Sequence, residues 1–266
     1  MEAAVSIDVF CARPVNHWVA AGTAVVWCAS EDLCGCSLFG APDAEATSEI
    51  VRAFDAFHDA EMGPRFSVVL DASRVEKVDP AALPVLVQWL ARERAELLKR
   101  VRLQVGVSPG GAAGKAIAEI VPLLGELHLY RVVASTAEAF RLVQPDGDAL
   151  LEEVNAIAEH VLSIPTEIRR LRQLLAHDPS ASVDHASRTL GISPRTLSRS
   201  LTDYGSAFND EVKAARYTKA CHLLESTDDD PRDIANAVGL SESTLNQLFK
   251  EKARITPSDY RDRSRT

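Results

Sequence analysis

Gly191-Ile-Ser193-Pro-Arg195-Thr-Leu-Ser-Arg199-Ser-Leu201 is answered downstream by Gly239-Leu-Ser241-Glu-Ser243-Thr-Leu-Asn-Gln247-Leu-Phe249. The two stretches are displaced by 48 residues, and Gly, Ser, Thr and Leu recur in register. A fixed internal offset constrains architecture more than any single motif does. Each copy reads as the end of a short helix, a turn at Gly, and a second helix opened by Ser. That is the pattern of a helix-turn-helix unit, present twice.

Working outward from the first copy, Thr166 to Ala176 reads as a helix with Ile168, Leu171, Leu174 and Leu175 on one face. The first unit is expected to begin near Ser182-Val183-Asp184, with Asp184 as its cap and Ala186, Leu190 and Ile192 in its core. In the helix after Gly191, Leu197 and Leu201 lie four apart and point inward. Arg195, Thr196, Ser198 and Arg199 are left facing outward, mostly in the first turns, where a recognition helix meets base edges. Arg suits bidentate contact with guanine or phosphate, and Ser and Thr both donate and accept. Ala207 to Ser226 contains no Pro or Gly. At 1.5 Å per residue it predicts a helix of roughly 30 Å, close to one turn of B-DNA. Asp228-Asp-Asp230-Pro231 then ends it and caps the next helix.

Arg216-Tyr-Thr-Lys-Ala220-Cys-His-Leu-Leu224, Ile234-Ala-Asn-Ala-Val-Gly239 and Ile255-Thr-Pro257-Ser-Asp-Tyr260-Arg261 resemble the AraC/XylS-type DNA-binding domain over about residues 166–263. The resemblance implies two helix-turn-helix units joined by a long helix, and transcriptional regulation, commonly activation, from double-stranded promoter DNA. On it, Arg195, Ser198 and Arg199 match the outward positions of the first recognition helix. Ser243, Thr244, Asn246, Gln247 and Lys250 match those of the second. The second unit departs from the family pattern. Leu240 stands for the usual Phe, Gln247 for a common Arg, and Arg254 for the Gly before the Thr-Pro step, where a left-handed backbone is often needed. In the first unit Ser187 stands for a small Ala. The second unit is therefore expected to be a phosphate anchor or weak reader, and the first the main one.

Net charge is −9 over 266 residues, from 29 Lys+Arg and 38 Asp+Glu. From Thr166 onward the counts are 16 and 15, so the acidity belongs to the N-terminal part. A balance this weak requires the basic groups of a DNA reader to be clustered on one face. No run of about 18 apolar residues predicts a membrane span. The start, Met-Glu-Ala-Ala-Val-Ser, lacks a basic leader, and five Cys without framework spacing suit a reducing cytoplasm.

The N-terminal half predicts an α/β layer domain over residues 1–143. Val5 to Ala12 reads as a strand, and Val19 to Ala29 with Leu33 to Phe39 as a hairpin about Glu31-Asp32. Pro42 to Asp59 is helical by Ile50, Phe54 and Phe57, and Phe66 to Leu70 is a buried strand ending at Asp71. Asp79-Pro80 is read as a helix cap with Pro at the first position, before a helix burying Leu83, Leu86, Val87, Leu90, Leu97 and Leu98. Strand Val101 to Val107, helix Lys115 to Leu124, strand Leu127 to Val133 and helix Thr136 to Val143 complete it. The run Val68-Val-Leu-Asp71-Ala-Ser-Arg-Val-Glu-Lys-Val78-Asp79-Pro-Ala-Ala-Leu83, with Leu103-Gln-Val-Gly-Val and Val132-Val-Ala-Ser-Thr-Ala-Glu-Ala-Phe140, resembles STAS domains. The family's phosphorylated Ser or Thr after that Asp is replaced by Pro80, Ala81 and Ala82.

Residues 144–165 are read as a linker and connecting helix, and 166–266 as the DNA-binding domain. Leu150, Val154, Ile157 and Val161 form a heptad-like stripe that either packs on its own domain or dimerises the chain. Pro109-Gly-Gly-Ala-Ala-Gly-Lys115-Ala116 lacks the first Gly and the Mg²⁺-binding hydroxyl of a phosphate loop, and reads as a turn. Cys34-Gly-Cys36 with Cys28 has no fourth ligand, and neither Cys11 nor Cys221 has an activating His, so packing is the reading for the cysteines. No catalytic, cofactor or metal set is expected. The expected partners are promoter DNA, RNA polymerase, a second copy through the N-terminal domain or the 150–162 helix, and a small-molecule or protein effector whose pocket no residue marks. An enzyme carrying a DNA-binding module would need a nucleophile with its base. An interaction scaffold with a degenerate DNA-binding domain is the alternative function.

Overall fold

The computed structural model describes residues 1–58, 61–124 and 130–264. They divide into two compact units, Met1–Ser163 and Ile164–Thr266.

The first unit is a sheet of seven strands whose spatial order is their chain order. They are β1 (Glu2–Ala3), β2 (His17–Ala21), β3 (Ala24–Ser30), β4 (Leu33–Gly40), β5 (Phe66–Val75), β6 (Val101–Val107) and β7 (Tyr130–Val133). β2, β3 and β4 form an antiparallel meander, whereas β4 to β7 run parallel. The helices are α1 (Ile7–Ala12), α2 (Ala44–Phe54), α3 (Ala82–Arg100), α4 (Gly111–Leu124), α5 (Thr136–Val143) and α6 (Asp148–Ser163), with a 3₁₀ turn at Asp55–His58. The pleat separates two cores. Val26, Cys28, Cys34, Cys36 and Val68 pack with Phe10 of α1, Ile50 and Phe54 of α2, and Trp89 of α3. Val25, Trp27, Val69, Val105 and Val107 pack on the other face with Phe140 of α5 and with Val154 and Val161 of α6. Successive strand residues thus serve opposite faces, as the two-residue period requires. Gly35 is indispensable here, because a Cβ on it would lie 2.3 Å from the Trp27 ring.

Several sequence expectations are corrected. Val5 to Ala12 is not a strand. The Ser6 hydroxyl accepts the Val9 N–H and opens α1, whose Ile7 and Phe10 are buried three apart. The expected Val19–Ala29 strand is broken at Gly22, where φ is +55°, into β2 and β3. β5 does not end at Asp71 but continues to Val75, because the buried Asp71 carboxylate is satisfied by the Ser73 N–H and the Thr136 hydroxyl. Asp79 does not cap α3 directly. It accepts the Ala81 N–H at 2.9 Å in the turn before the helix, which starts at Ala82. α3 does not bury the six residues expected. Ala82, Trp89 and Leu97 are buried, Leu83, Leu86, Leu90 and Leu98 are half-buried, and Val87 is 41% exposed. Beneath α3, against α2 and the sheet, lies a partly open apolar cavity of about 180 Å³. α4 begins at Gly111 rather than Lys115, after Gly110 at φ +71°. Asp59 and Leu127 to Leu129, the outer parts of two predicted elements, lie outside the described residues. The stripe on α6 is used within its own unit: Val154 and Val161 are buried against the sheet, with Leu150 and Ile157 beside them. It leaves no open helix–helix seam at those positions.

Burial holds four of the thiols, Cys11, Cys34, Cys36 and Cys221, protonated. Burial, with Cys28 beside it, pushes the Cys34 thiol well up, and burial does the same for Cys36. Cys11 is pushed up to about 11, chiefly by burial and then by Asp55 and Asp8. Thiols of this kind are poor nucleophiles.

The second unit is all helical: α7 (Thr166–His177), α8 (Val183–Leu190), α9 (Pro194–Asp203), α10 (Phe208–Ser226), α11 (Pro231–Ala237), α12 (Glu242–Ala253) and α13 (Pro257–Ser264). It has two cores. One gathers Leu171 and Leu175 of α7, Ala186 and Leu190 of α8, and Leu197 and Leu201 of α9. The other gathers Ile234, Ala235 and Val238 with Leu245 and Phe249 of α12. The long α10 belongs to both: Val212 and Ala215 flank the first, and Ala220 and Leu224 lie inside the second.

Candidate nucleic-acid interface

Each of the four residues repeated in register does the same job in both copies. Gly191 and Gly239 both adopt φ +69°, the left-handed conformation that ends α8 and follows α11. The next amides, of Ile192 and Leu240, reach back to the carbonyls of Ser187 and Ala235 at 3.1 and 2.8 Å. Ser193 and Ser241 are the N-caps of α9 and α12, accepting the N–H of Thr196 and Thr244 at 3.1 and 3.2 Å. Leu197 and Leu245 are fully buried. The turn and the entry angle of each second helix are thus set by backbone hydrogen bonds written locally into the chain. The cap of α8 is Ser182, which accepts the His185 N–H. Asp184, expected in that role, lies in the first turn.

With Leu197 and Leu201 buried, Arg195, Ser198 and Arg199 of α9 are exposed and Thr196 is half-buried. Arg195 and Arg199 are four apart and so share a helix face. Among the described residues neither has an ion-pair partner. The Thr196 hydroxyl lies 2.8 Å from the cap oxygen of Ser193, so part of its hydrogen-bonding capacity is spent on the helix start. α12 presents Ser243, Thr244, Gln247 and Lys250 outward and holds Asn246 half-buried. Here more of the polar groups are already engaged. Both the Ser243 and Thr244 hydroxyls contact the Ser241 cap, at 2.9 and 2.7 Å, and the Gln247 amide donates to Glu251 at 3.2 Å. Glu242 and Glu251 also put carboxylates on the same helix as Lys250. Two arginines face solvent in the first turns of α9, whereas the cations of α12, Lys250 and Lys252, stand in its last turn beside Glu251.

The residues that carry the family resemblance turn out to hold the frame. Arg216 Nε donates to the Pro179 carbonyl at 3.1 Å, tying α10 to the loop after α7. Arg261 donates to the carbonyls of Leu224 and Asp229, fixing the end of α10 and the acidic loop behind it. Tyr217, Phe249 and Tyr260 form an aromatic run with ring centroids 4.9 and 5.5 Å apart. Arg172 of α7 grips the buried carboxylate of Glu211 on α10 with two hydrogen bonds, of 2.8 and 3.1 Å, and Ser206 adds a third at 2.7 Å. Burial alone would raise the Glu211 carboxyl, but these bonds outweigh it and hold the group below its ordinary range. Sequence reasoning did not single out Arg172 or Glu211, because their pairing spans 39 residues. It also missed Arg188 and Lys252, both exposed on α8 and α12. Their only signal is helical position.

A family model described as a helix-turn-helix domain matches residues 186–263, from the middle of α8 to α13. No curated protein matches this sequence. Among solved structures, the C-terminal domain of AraT, a response regulator from Geobacillus stearothermophilus, is similar over 38% of this chain and 87% of its own, at 27% identity and a TM-score of 0.34. A DNA-binding transcriptional dual regulator from Escherichia coli K-12 is similar over 38% of this chain and 94% of its own, at 19% identity and a TM-score of 0.36. The DNA-binding domain of AdpA, a global transcriptional factor in complex with a target DNA, is similar over 36% and 93%, at 24% identity and a TM-score of 0.32. Residues 186–263 constitute a helix-turn-helix domain, an architecture that places a helix in the major groove.

Proposed function

We propose that the chain is a sequence-specific, DNA-binding transcription regulator of the AraC/XylS type, in which α9 is the principal reading helix. The observation that carries this reading is the duplicated unit itself, with capped second helices and Arg195 and Arg199 exposed in the first turns of α9. Arg195, Thr196, Ser198 and Arg199 read bases or phosphates in one major groove. In the next groove Lys250 holds a phosphate, while Ser243, Thr244, Asn246 and Gln247 contribute less. α10, 19 residues long, spans about 28 Å and suits two grooves on one face of the duplex. An activator role, contact with RNA polymerase, control by the N-terminal unit and pairing of two copies through that unit belong to the same proposal. The STAS-like reading of the N-terminal unit is supported by its four parallel strands, with the Val68–Leu83 run forming β5 and the start of α3.

Selection from genomic fragments with the full chain, followed by binding titrations of the enriched site, tests the proposal. Enrichment of a motif of roughly 17–20 base pairs is expected, with affinity falling steeply as salt rises. Arg199→Ala is expected to weaken specific binding by about 1–3 kcal/mol and relax discrimination at one position. Unchanged discrimination by that variant removes α9 from the reading role, and enrichment of nothing overturns the proposal.

A further inference from the structure

The cavity under α3 lies wholly within the first unit and is walled by several elements. α3 contributes Leu83, Leu86 and Leu90, α2 contributes Ile50 and Phe54, and β5 contributes Val68 and Leu70. Protein interiors rarely leave voids larger than a water molecule, and a void lined by Leu, Ile and Phe stays dry and admits small hydrocarbons. At about 180 Å³ this one exceeds the roughly 150 Å³ that accommodates benzene. Its origin is legible in β6. Leu103, Val105 and Val107 all go to the opposite core, leaving Gln104 as the β6 residue that faces the cavity, while Tyr130 covers Gly106. Gln104 lines the cavity, is only 6% exposed, and brings an amide to a wall that is otherwise largely apolar. A polar side chain at the wall of an apolar chamber gives a ligand a hydrogen-bonding partner that fixes its orientation. Thr47 of α2, also buried, brings a hydroxyl to another wall. Phe54, Phe57 and Trp89 meet beside it with ring centroids 5.2 and 5.4 Å apart, which favours a flat aromatic guest.

We propose that this cavity binds a single-ring aromatic molecule carrying a short alkyl group and one hydrogen-bonding group, with the ring among Leu83, Leu86, Phe54 and Trp89 and the polar group on Gln104. The inference stands on the cavity alone and does not depend on which DNA the other unit reads.

Propylbenzene and 4-propylphenol are the probes, titrated by calorimetry into the full-length protein and checked by thermal denaturation. Saturable binding of one molecule per chain is expected. At a concentration 100 times Kd the probe should shift the folding equilibrium about 100-fold. The phenol is expected to bind about five- to tenfold more tightly than the hydrocarbon. Leu86→Phe, which fills the chamber, should weaken both probes at least tenfold while leaving the unliganded melting temperature the same or higher. Gln104→Leu should remove the preference for the phenol and keep propylbenzene, so it remains decisive where Leu86→Phe does not fold. Absence of one-to-one binding of either probe, binding indifferent to Leu86→Phe, or a phenol preference that survives Gln104→Leu overturns the proposal. DNA binding enters none of these readouts, so their failure is separate from failure of the regulator reading.

Discussion

Two single residues in the DNA-binding unit stand against the local physics of their sites. Ser187 is fully buried in α8, and among the described residues its hydroxyl has no hydrogen-bond partner. A buried unmet hydroxyl costs about 1–3 kcal/mol. Ser187→Ala is therefore expected to raise stability by about 1 kcal/mol, read as a higher urea midpoint with an unchanged m-value. Arg254 ends α12 at φ +61°, where a side chain is strained and Gly is not. Arg254→Gly should stabilise by about 0.5–1 kcal/mol after the added freedom of the unfolded glycine is subtracted. A destabilised variant would mean that the exposed Arg254 side chain does more for the fold than its backbone costs. Both are among the positions where the sequence departs from the AraC/XylS-type pattern it resembles, and both departures have a physical cost in the structure.

At the scale of elements, α9 and α12 are built alike and equipped differently. Their caps, left-handed glycines and buried leucines coincide, whereas α9 faces solvent with two arginines in its first turns and α12 with Lys250 and Lys252 in its last turn beside Glu251. The clamp from α7 to α10 is an element-level device with its own pH signature. The Glu211 carboxyl is lower in the folded protein than in the unfolded chain, so its stabilisation is complete above the unfolded value of about 4.3. It is lost as pH falls through the depressed folded value. Glu211→Gln is accordingly expected to flatten the acid limb of the stability curve below about pH 4.5 relative to the parent chain. Chemical denaturation at stepped pH measures this, and parallel acid limbs would show that the clamp contributes nothing. Arg172→Met leaves the carboxylate buried without its cation and should cost up to about 3 kcal/mol, less to the degree that water reaches the half-exposed Arg172 site.

For the whole molecule, the two-unit division follows from where the cores close. Every residue of the two sheet-face cores lies at or before Val161, and every residue of the two helical cores lies at or after Ile164. A fragment of residues 164–266 is therefore expected to fold cooperatively alone and to retain the selected DNA motif. A fragment lacking helical circular dichroism would refute that independence. The acidity of the chain belongs to the N-terminal part, which leaves the helical unit near neutral and makes the placement of Arg195 and Arg199 count for more than net charge.

What the sequence determined was everything encoded within a turn or two of chain. The repeat at a spacing of 48 named the turn glycines, the cap serines and the buried leucines of both units, and the bounds of β6 and α5 matched their predicted ends. These features are legible because capping, left-handed turns and helical periodicity are local interactions. Only the tertiary structure decided which apolar residues meet a partner. Leucines at helical spacing on α3 looked like core, but Leu83, Leu86 and Leu90 line an open chamber and Val87 faces solvent. The heptad-like stripe on α6 could have met another chain, yet Val154 and Val161 pack against the sheet. Periodicity gives the face of an element, whereas burial depends on the shape of what stands opposite. For α3 that opposite wall is distant in sequence and includes Gln104 of β6.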